Sequence, residues 1–165
     1  MPSADGIAVE FPHKILENIN GTPIRIDIDD AQEKQTKNAA SRSSTRGGGA
    51  HGYVWMVVPP ARYVLDFYPT SYAWKPIPDE APVYPVGITS TAQRLLDNNF
   101  AREMRIYRDQ SGTHTALKTQ LHQKYSPEYW TGVLQPGTGI ATISILDMYT
   151  NLYANYGQVN NVDLE

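Results

Sequence analysis

Cysteine is absent from the 165 residues, which excludes disulfides, thiol catalysis, iron–sulfur clusters and every cysteine-based zinc site. No apolar run approaches the roughly 20 residues needed to span a bilayer, and Met1 to Glu10 lacks the basic-then-apolar pattern of a secretory signal. Catalytic signatures are missing as well. None of the four histidines, His13, His51, His114 and His122, sits three or four residues from another, so there is no helical zinc pair. No Gly-x-Ser-x-Gly elbow or Asp-Thr/Ser-Gly triplet occurs, and the carboxylates are too scattered to mark a local acid–base pair. Basic residues are missing from Ser126 onward, where Glu128, Asp147, Asp163 and Glu165 are the only charged side chains. That acidic, tyrosine-rich block is suited to meeting protein more than phosphate. Over the whole chain, 14 basic and 17 acidic residues leave a formal charge of -3, with no strong pull toward nucleic acid or anionic membrane. The expectation is a soluble, unexported, cytoplasmic protein that is not an enzyme, has no metal or other cofactor and does not engage a membrane.

What the sequence does have is one long helical stretch. From Thr91 to Tyr125, the residues Leu96, Phe100, Met104, Tyr107, Ser111, His114, Leu121 and Tyr125 recur at helical spacing, while Arg94, Asn98, Ala101, Arg105 and Arg108 mark a solvated opposite side. Ser90 or Thr91 is read as its cap. Gly112 beside Ser111 marks either a kink or close helix packing, because glycine in a helix interior costs about 1 kcal/mol relative to alanine. Close packing is the preferred reading, since neither side chain brings chemistry its neighbours use. With 41% hydrophobic residues, the chain suits one domain with a core. The expected fold is mainly α, built around this central helix, with a Gly-rich loop and a Pro- and aromatic-rich extended connector.

Before the long helix, Met1 to Glu10 reads as a flexible leader and Phe11 to Ile19 as a docked segment or short helix. The expected boundaries are therefore a leader over 1–20 and a helical domain over 21–157. Ile24, Ile26 and Ile28 alternate as a strand would, but the polar stretch after them favours a helix from Asp27 to Ala40 with the isoleucines leading into it. Asp27, Asp29 and Asp30 suit a helix N-terminus; a calcium loop is the sharper alternative, lacking the later ligands and central glycine. Ser41 to Gly52 is a Gly-rich loop without the Lys-Ser/Thr of a phosphate cradle, and His51 within it reads as a packing residue. Tyr53 to Val58 fits a buried strand or a short helix equally. Pro60 is placed to start a helix through Tyr63 and Phe67. Pro69 to Pro85 is an extended, aromatic-studded connection because its missing amides support neither helix nor central strand.

After the long helix, Ser126-Pro127 is read as a capped helix start. A last full helix is expected from Ala141 to Tyr156, ended by Gly157, and 158–165 reads as the start of a further helix, so the chain is expected to be the front of something longer. Two surfaces carry candidate contacts. Arg94, Arg102, Arg105 and Arg108, with Arg42 and Arg46 of the glycine loop, form the one candidate nucleic-acid face, read against a plain solvated helix side. Tyr149, Tyr153 and Tyr156 are read first as core and second as self-association contacts.

The order of these features resembles a known family. Asn38, Ala39, Ala40 and Ser41, then Gly47 to Gly52 around Ala50 and His51, a short apolar segment, Pro60, Ala61 and Tyr63 resemble the front half of Gag from copia-type retrotransposons. Pro127, Glu128 and Tyr129, the Thr138-Gly139 turn, Ile145, Leu146 and a tyrosine-rich helix ending at Tyr156-Gly157 continue the likeness. It covers Ile19 to Glu165. Trp55 stands where the family usually keeps a small residue, and Gln35 interrupts the apolar face of the first helix. The resemblance implies an intracellular, all-helical capsid protein, with 21–157 as its N-terminal capsid portion. Its partners would be other copies, assembling into a particle around the element's RNA, and no catalytic residue is carried over. RNA contact would fall mainly to regions downstream of Glu165. The other readings are a helical protein–protein adaptor or domesticated Gag remnant, and an RNA-binding module using the arginine face.

Overall fold

The computed structural model describes residues 4–19, 21–43, 51–67 and 81–157. Within them lie α1 (Ala4–Ala8), α2 (Arg25–Ala40), α3 (Pro60–Asp66), α4 (Ser90–Lys124) and α5 (Ile145–Tyr156). Two 3₁₀ turns, Val54–Met56 and Pro127–Trp130, join them. The fold is mainly helical around the long central α4, and the described residues contain no strand. The glycines at 47–49, the connector over 68–80 and the helix start expected over 158–165 lie outside the described residues.

The central helix runs unbroken through Gly112 for 35 residues. It is capped one residue earlier than expected, by Thr89, whose Oγ1 accepts the backbone N–H of Ala92 at 3.1 Å. Gly112 serves close packing: a Cβ there would stand 2.9 Å from Cδ1 of Ile7, which is fully buried. The glycine therefore lets α1 lie directly on α4, so the leader is docked where it is described. Ile7, Phe11 and Leu16 all enter the same core as α2, α4 and α5, so 4–19 belongs to the domain and is not a separate lead-in. Its end is pinned by the Ile19 N–H, which donates to the carbonyl of Lys124 at 2.8 Å.

The three isoleucines are part of α2 or its cap. Residues two apart on a helix point to nearly opposite sides, so Ile28 is fully buried while Ile26 is 79% exposed and Ile24, the cap residue, 59%. Helix α2 thus begins two residues before the expected start at Asp27. Its far end is closed by Gly52, which adopts φ +57° and sits where a Cβ would lie 2.1 Å from the carbonyl oxygen of Arg42. Only glycine fits so tight a return. The segment after it settles as the 3₁₀ turn, with Tyr53 to Val58 buried throughout. Pro60 occupies the first turn of α3, as expected, and His51 packs edge-on against Phe67 at 4.9 Å between ring centroids.

The elements after α4 are shorter than the sequence implied. Ser126 makes no side-chain cap, and Pro127–Trp130 is a single 3₁₀ turn that buries Trp130, whose Nε1–H donates to the carbonyl of His122 at 3.0 Å. Helix α5 starts at Ile145 and not at Ala141. A reciprocal capping box sets that start: Ser144 Oγ accepts from Asp147 N, and Asp147 Oδ2 accepts from Ser144 N, each at 3.0 Å. Gly157 follows it with its Cα against Tyr153, where a Cβ would lie 2.7 Å from backbone atoms.

Candidate functional site

Every deeply buried side chain of α4 lies at or beyond Gln110, so its first five turns contribute little to the core. Arg94, Arg102, Arg105 and Arg108 are all exposed on this part. At α-helical pitch they fall within an arc of about 120° and along about 21 Å of axis. Arg102 approaches Glu103 at 3.9 Å, whereas no ion pair links Arg94, Arg105 or Arg108 to another described residue. Arg42 does not join this face. Its guanidinium is held by Asp109 at 2.6 Å, Thr113 at 3.1 Å and Glu10 at 3.3 Å, and the Tyr53 hydroxyl donates to the same Asp109 carboxylate. Its role is to tie the end of α2 to α4 and α1. Arg46 lies outside the described residues.

The three tyrosines of α5 divide between roles. Tyr149 is buried and its hydroxyl donates to Gln35 Oε1 at 2.5 Å, so it is core and offers no surface for self-association. Tyr156 is half-buried and meets Tyr129 edge-on. Tyr153, also half-buried, lies 2.6 Å from Asp29 Oδ1 and 3.0 Å from Gln32 Oε1. Burial and the Asp29 carboxylate push its phenol pKa up, while the guanidiniums of Arg25 and Arg62 pull the other way. Tyr153 therefore stands at a surface where two cations converge.

Beneath α5 lies a polar network that sequence reasoning missed. Gln35 and Asn38 of α2 are fully buried, and Gln120 of α4 nearly so. Gln35 Nε2 donates to the Leu117 carbonyl at 2.7 Å and to Gln120 Oε1 at 3.2 Å. Asn38 Nδ2 donates to Gln120 Oε1 at 3.0 Å and to the His13 carbonyl at 2.9 Å, and Gln120 Nε2 reaches the carbonyls of His13 and Lys14 at 2.6 and 3.1 Å. The residue that interrupted an apolar face is thus the centre of a paired network joining α2, α4, α5 and the segment after α1. Asp27, the first of the aspartates weighed as calcium ligands, instead pairs with Lys124 at 3.1 Å and accepts from Tyr125.

Lys118 is buried, and His114 partly so, under the turn before α5. Lys118 Nζ donates to the carbonyls of Ile140, Ala141 and Ile143 at 2.9, 3.2 and 3.0 Å, and desolvation lowers its pKa. His114 Nε2 accepts the Ile145 N–H at 3.2 Å. Burial, with the Lys118 charge adding to it and Asp147 opposing, pushes the imidazole down to about 3. These groups hold the turn.

A recess lies between α2, α3 and α5. It has a volume of about 780 Å³ and is lined by Pro59, Pro60, Leu146 and Tyr153 together with Arg25, Arg62 and Asp29. A second recess of about 460 Å³ shares Asp29, Gln32 and Arg62 with it, so the two form one groove across the outer face of α2. Among the described residues no cluster of three or more His, Cys, Asp or Glu is placed to hold a metal ion, and no helix is long and apolar enough to cross a membrane. No family model, no curated protein and no solved structure matches the chain. What the fold defines is a mainly helical protein built around one long central helix.

Proposed function

We propose that this chain is a non-catalytic, self-assembling structural subunit, the N-terminal capsid portion of a copia-type retrotransposon Gag. Its copies associate by mass action in the cytoplasm around the element's RNA. The order of sequence features that resembles such Gag proteins supports the reading. The structural observation that carries it is the number of large aliphatic side chains left at the surface. Ile15 is 86% exposed, Leu65 83%, Val83 79% and Val86 fully so, with Leu95 and Leu96 on the outer turns of α4. Exposed apolar side chains are removed from water when copies associate. A catalytic alternative has no comparable support, because the buried ionisable groups are engaged in holding turns together.

Light scattering and sedimentation over a concentration series test this. The expected result is particles far larger than the 18.4 kDa monomer, growing with concentration. A chain that stays monomeric up to its solubility limit removes the capsid reading and leaves the adaptor reading in its place.

A second reading, RNA contact by the subunit itself, is favoured by the arc of exposed arginines on α4. Changing Arg105 and Arg108 together to Glu should weaken RNA retention and reduce the slope of log affinity against log salt by about 2, one phosphate contact for each arginine. Unchanged retention and slope would show that the face carries no RNA.

A further inference from the structure

We propose that the outer half of α4 binds single-stranded RNA, with the arginine arc following the phosphate backbone and the ring of Tyr84 stacking on a base. This rests on the reading of RNA contact by the arc, and it names the form of the ligand and a further contact residue.

The arc is built for phosphate. Arg94, Arg105 and Arg108 make no ion pair with another described residue, and the contact of Arg102 with Glu103, at 3.9 Å, is loose. Asn98 and Ala101, both exposed, fall between the arginines on the same arc, so short side chains separate the guanidiniums and let a strand approach the helix. Each guanidinium is planar and presents paired N–H groups that match a phosphate. Two carboxylates border the arc, and both are already engaged: Asp109 by Arg42 and Tyr53, and Asp97 by Tyr84.

Tyr84 supplies what a row of arginines lacks. It is 40% exposed, and no ring of another described residue stacks on it. Its hydroxyl donates to the Asp97 carboxylate. Asp97 lies three residues after Arg94 and four before Ala101, so it neighbours both on the helix surface. The ring is therefore anchored at its tip beside the arc. The same bond raises the phenol pKa above its ordinary value of 10.0, so the ring is neutral and does not repel phosphate.

A single strand uses both features. Its unpaired bases can turn out and stack on an aromatic ring, whereas duplex RNA keeps its bases inside and offers Tyr84 none. Phosphate and ring contacts accept any base, so the face binds without strong sequence preference.

The test is a fluorescence-anisotropy titration of the full chain with a labelled oligouridylate, an abasic strand of the same length and a duplex RNA. The oligouridylate should bind tightest. Tyr84→Ala should weaken it by about tenfold or more without changing the slope of log affinity against log salt, whereas Tyr84→Phe should keep most of the affinity. Neither change should alter binding to the abasic strand, which also shows that the variants are folded. An oligouridylate affinity unchanged by Tyr84→Ala, or a duplex or abasic strand bound as tightly as the oligouridylate, overturns the proposal and leaves the arginine reading standing. Poly-glutamate bound as tightly at equal charge overturns it in favour of an acidic protein partner. No binding to any of the three nucleic acids removes the proposal and the arginine reading together.

Discussion

Replacing Gln35 by Leu should destabilise the protein by about 2–4 kcal/mol, although leucine is apolar, similar in size and a good helix former. Gln35 is fully buried and uses both ends of its amide, donating to Leu117 and Gln120 and accepting from Tyr149. Leucine would leave the Tyr149 hydroxyl in the core with no acceptor. The Gln120 carbonyl, by contrast, keeps its bond from Asn38. An orphaned buried donor costs its full desolvation, whereas removing both partners is close to neutral. Tyr149→Phe combined with Gln35→Leu should therefore recover about 1–2 kcal/mol of the loss. Thermal and urea unfolding of the two single variants and the double measure this, with the single Gln35→Leu change lowering Tm by roughly 5–15 °C. A single variant as stable as the parent would mean that the network contributes nothing.

Acid should destabilise the fold well before its carboxylates titrate. Unfolded, the His114 imidazole takes up a proton below its ordinary value of 6.5; folded, it stays neutral down to about 3. Below pH 6.5 the unfolded chain thus binds more protons than the folded one, and stability falls as pH falls. Above pH 6.5 this contribution is fully present. Its slope approaches about 1.4 kcal/mol per pH unit as the unfolded imidazole becomes fully charged. His122, stacked on Trp130 and also held down by burial, acts in the same direction. Urea midpoints between pH 7.5 and pH 5, compared for the parent and His114→Gln, isolate the His114 share, since a glutamine carbonyl can still accept the Ile145 N–H. The variant should show a visibly flatter profile. Identical slopes would mean that His114 is protonated in the folded protein.

The legible parts of the fold were those whose signal is local. The long helix over 91–125 and the proline at the head of α3 each depend on neighbours within a turn or two, and both appear nearly where they were read, although of the eight residues read as the apolar side of the long helix only Leu121 and Tyr125 are buried. Boundaries slipped where the deciding group was a side chain of ordinary appearance: Thr89 in place of Ser90, and the Ser144–Asp147 box in place of Ala141. The exposed arginines were legible for the same reason, because α-helical spacing alone puts them on one arc. Their availability was not, and Arg42 looked equivalent until its partners Asp109 and Thr113 of α4 and Glu10 came together from two distant parts of the chain.

By itself, then, the sequence determined a cysteine-free, helical chain organised on one long helix, because periodicity, proline and missing residue types act over short range. Tertiary structure alone decided that Gln35, Asn38, Gln120 and Lys118 lie inside, since a polar group can be buried only where distant segments deliver its hydrogen-bond partners. It also decided that the leader is core and not a tail: Ile7 is buried because Gly112, more than a hundred residues away, leaves it the space.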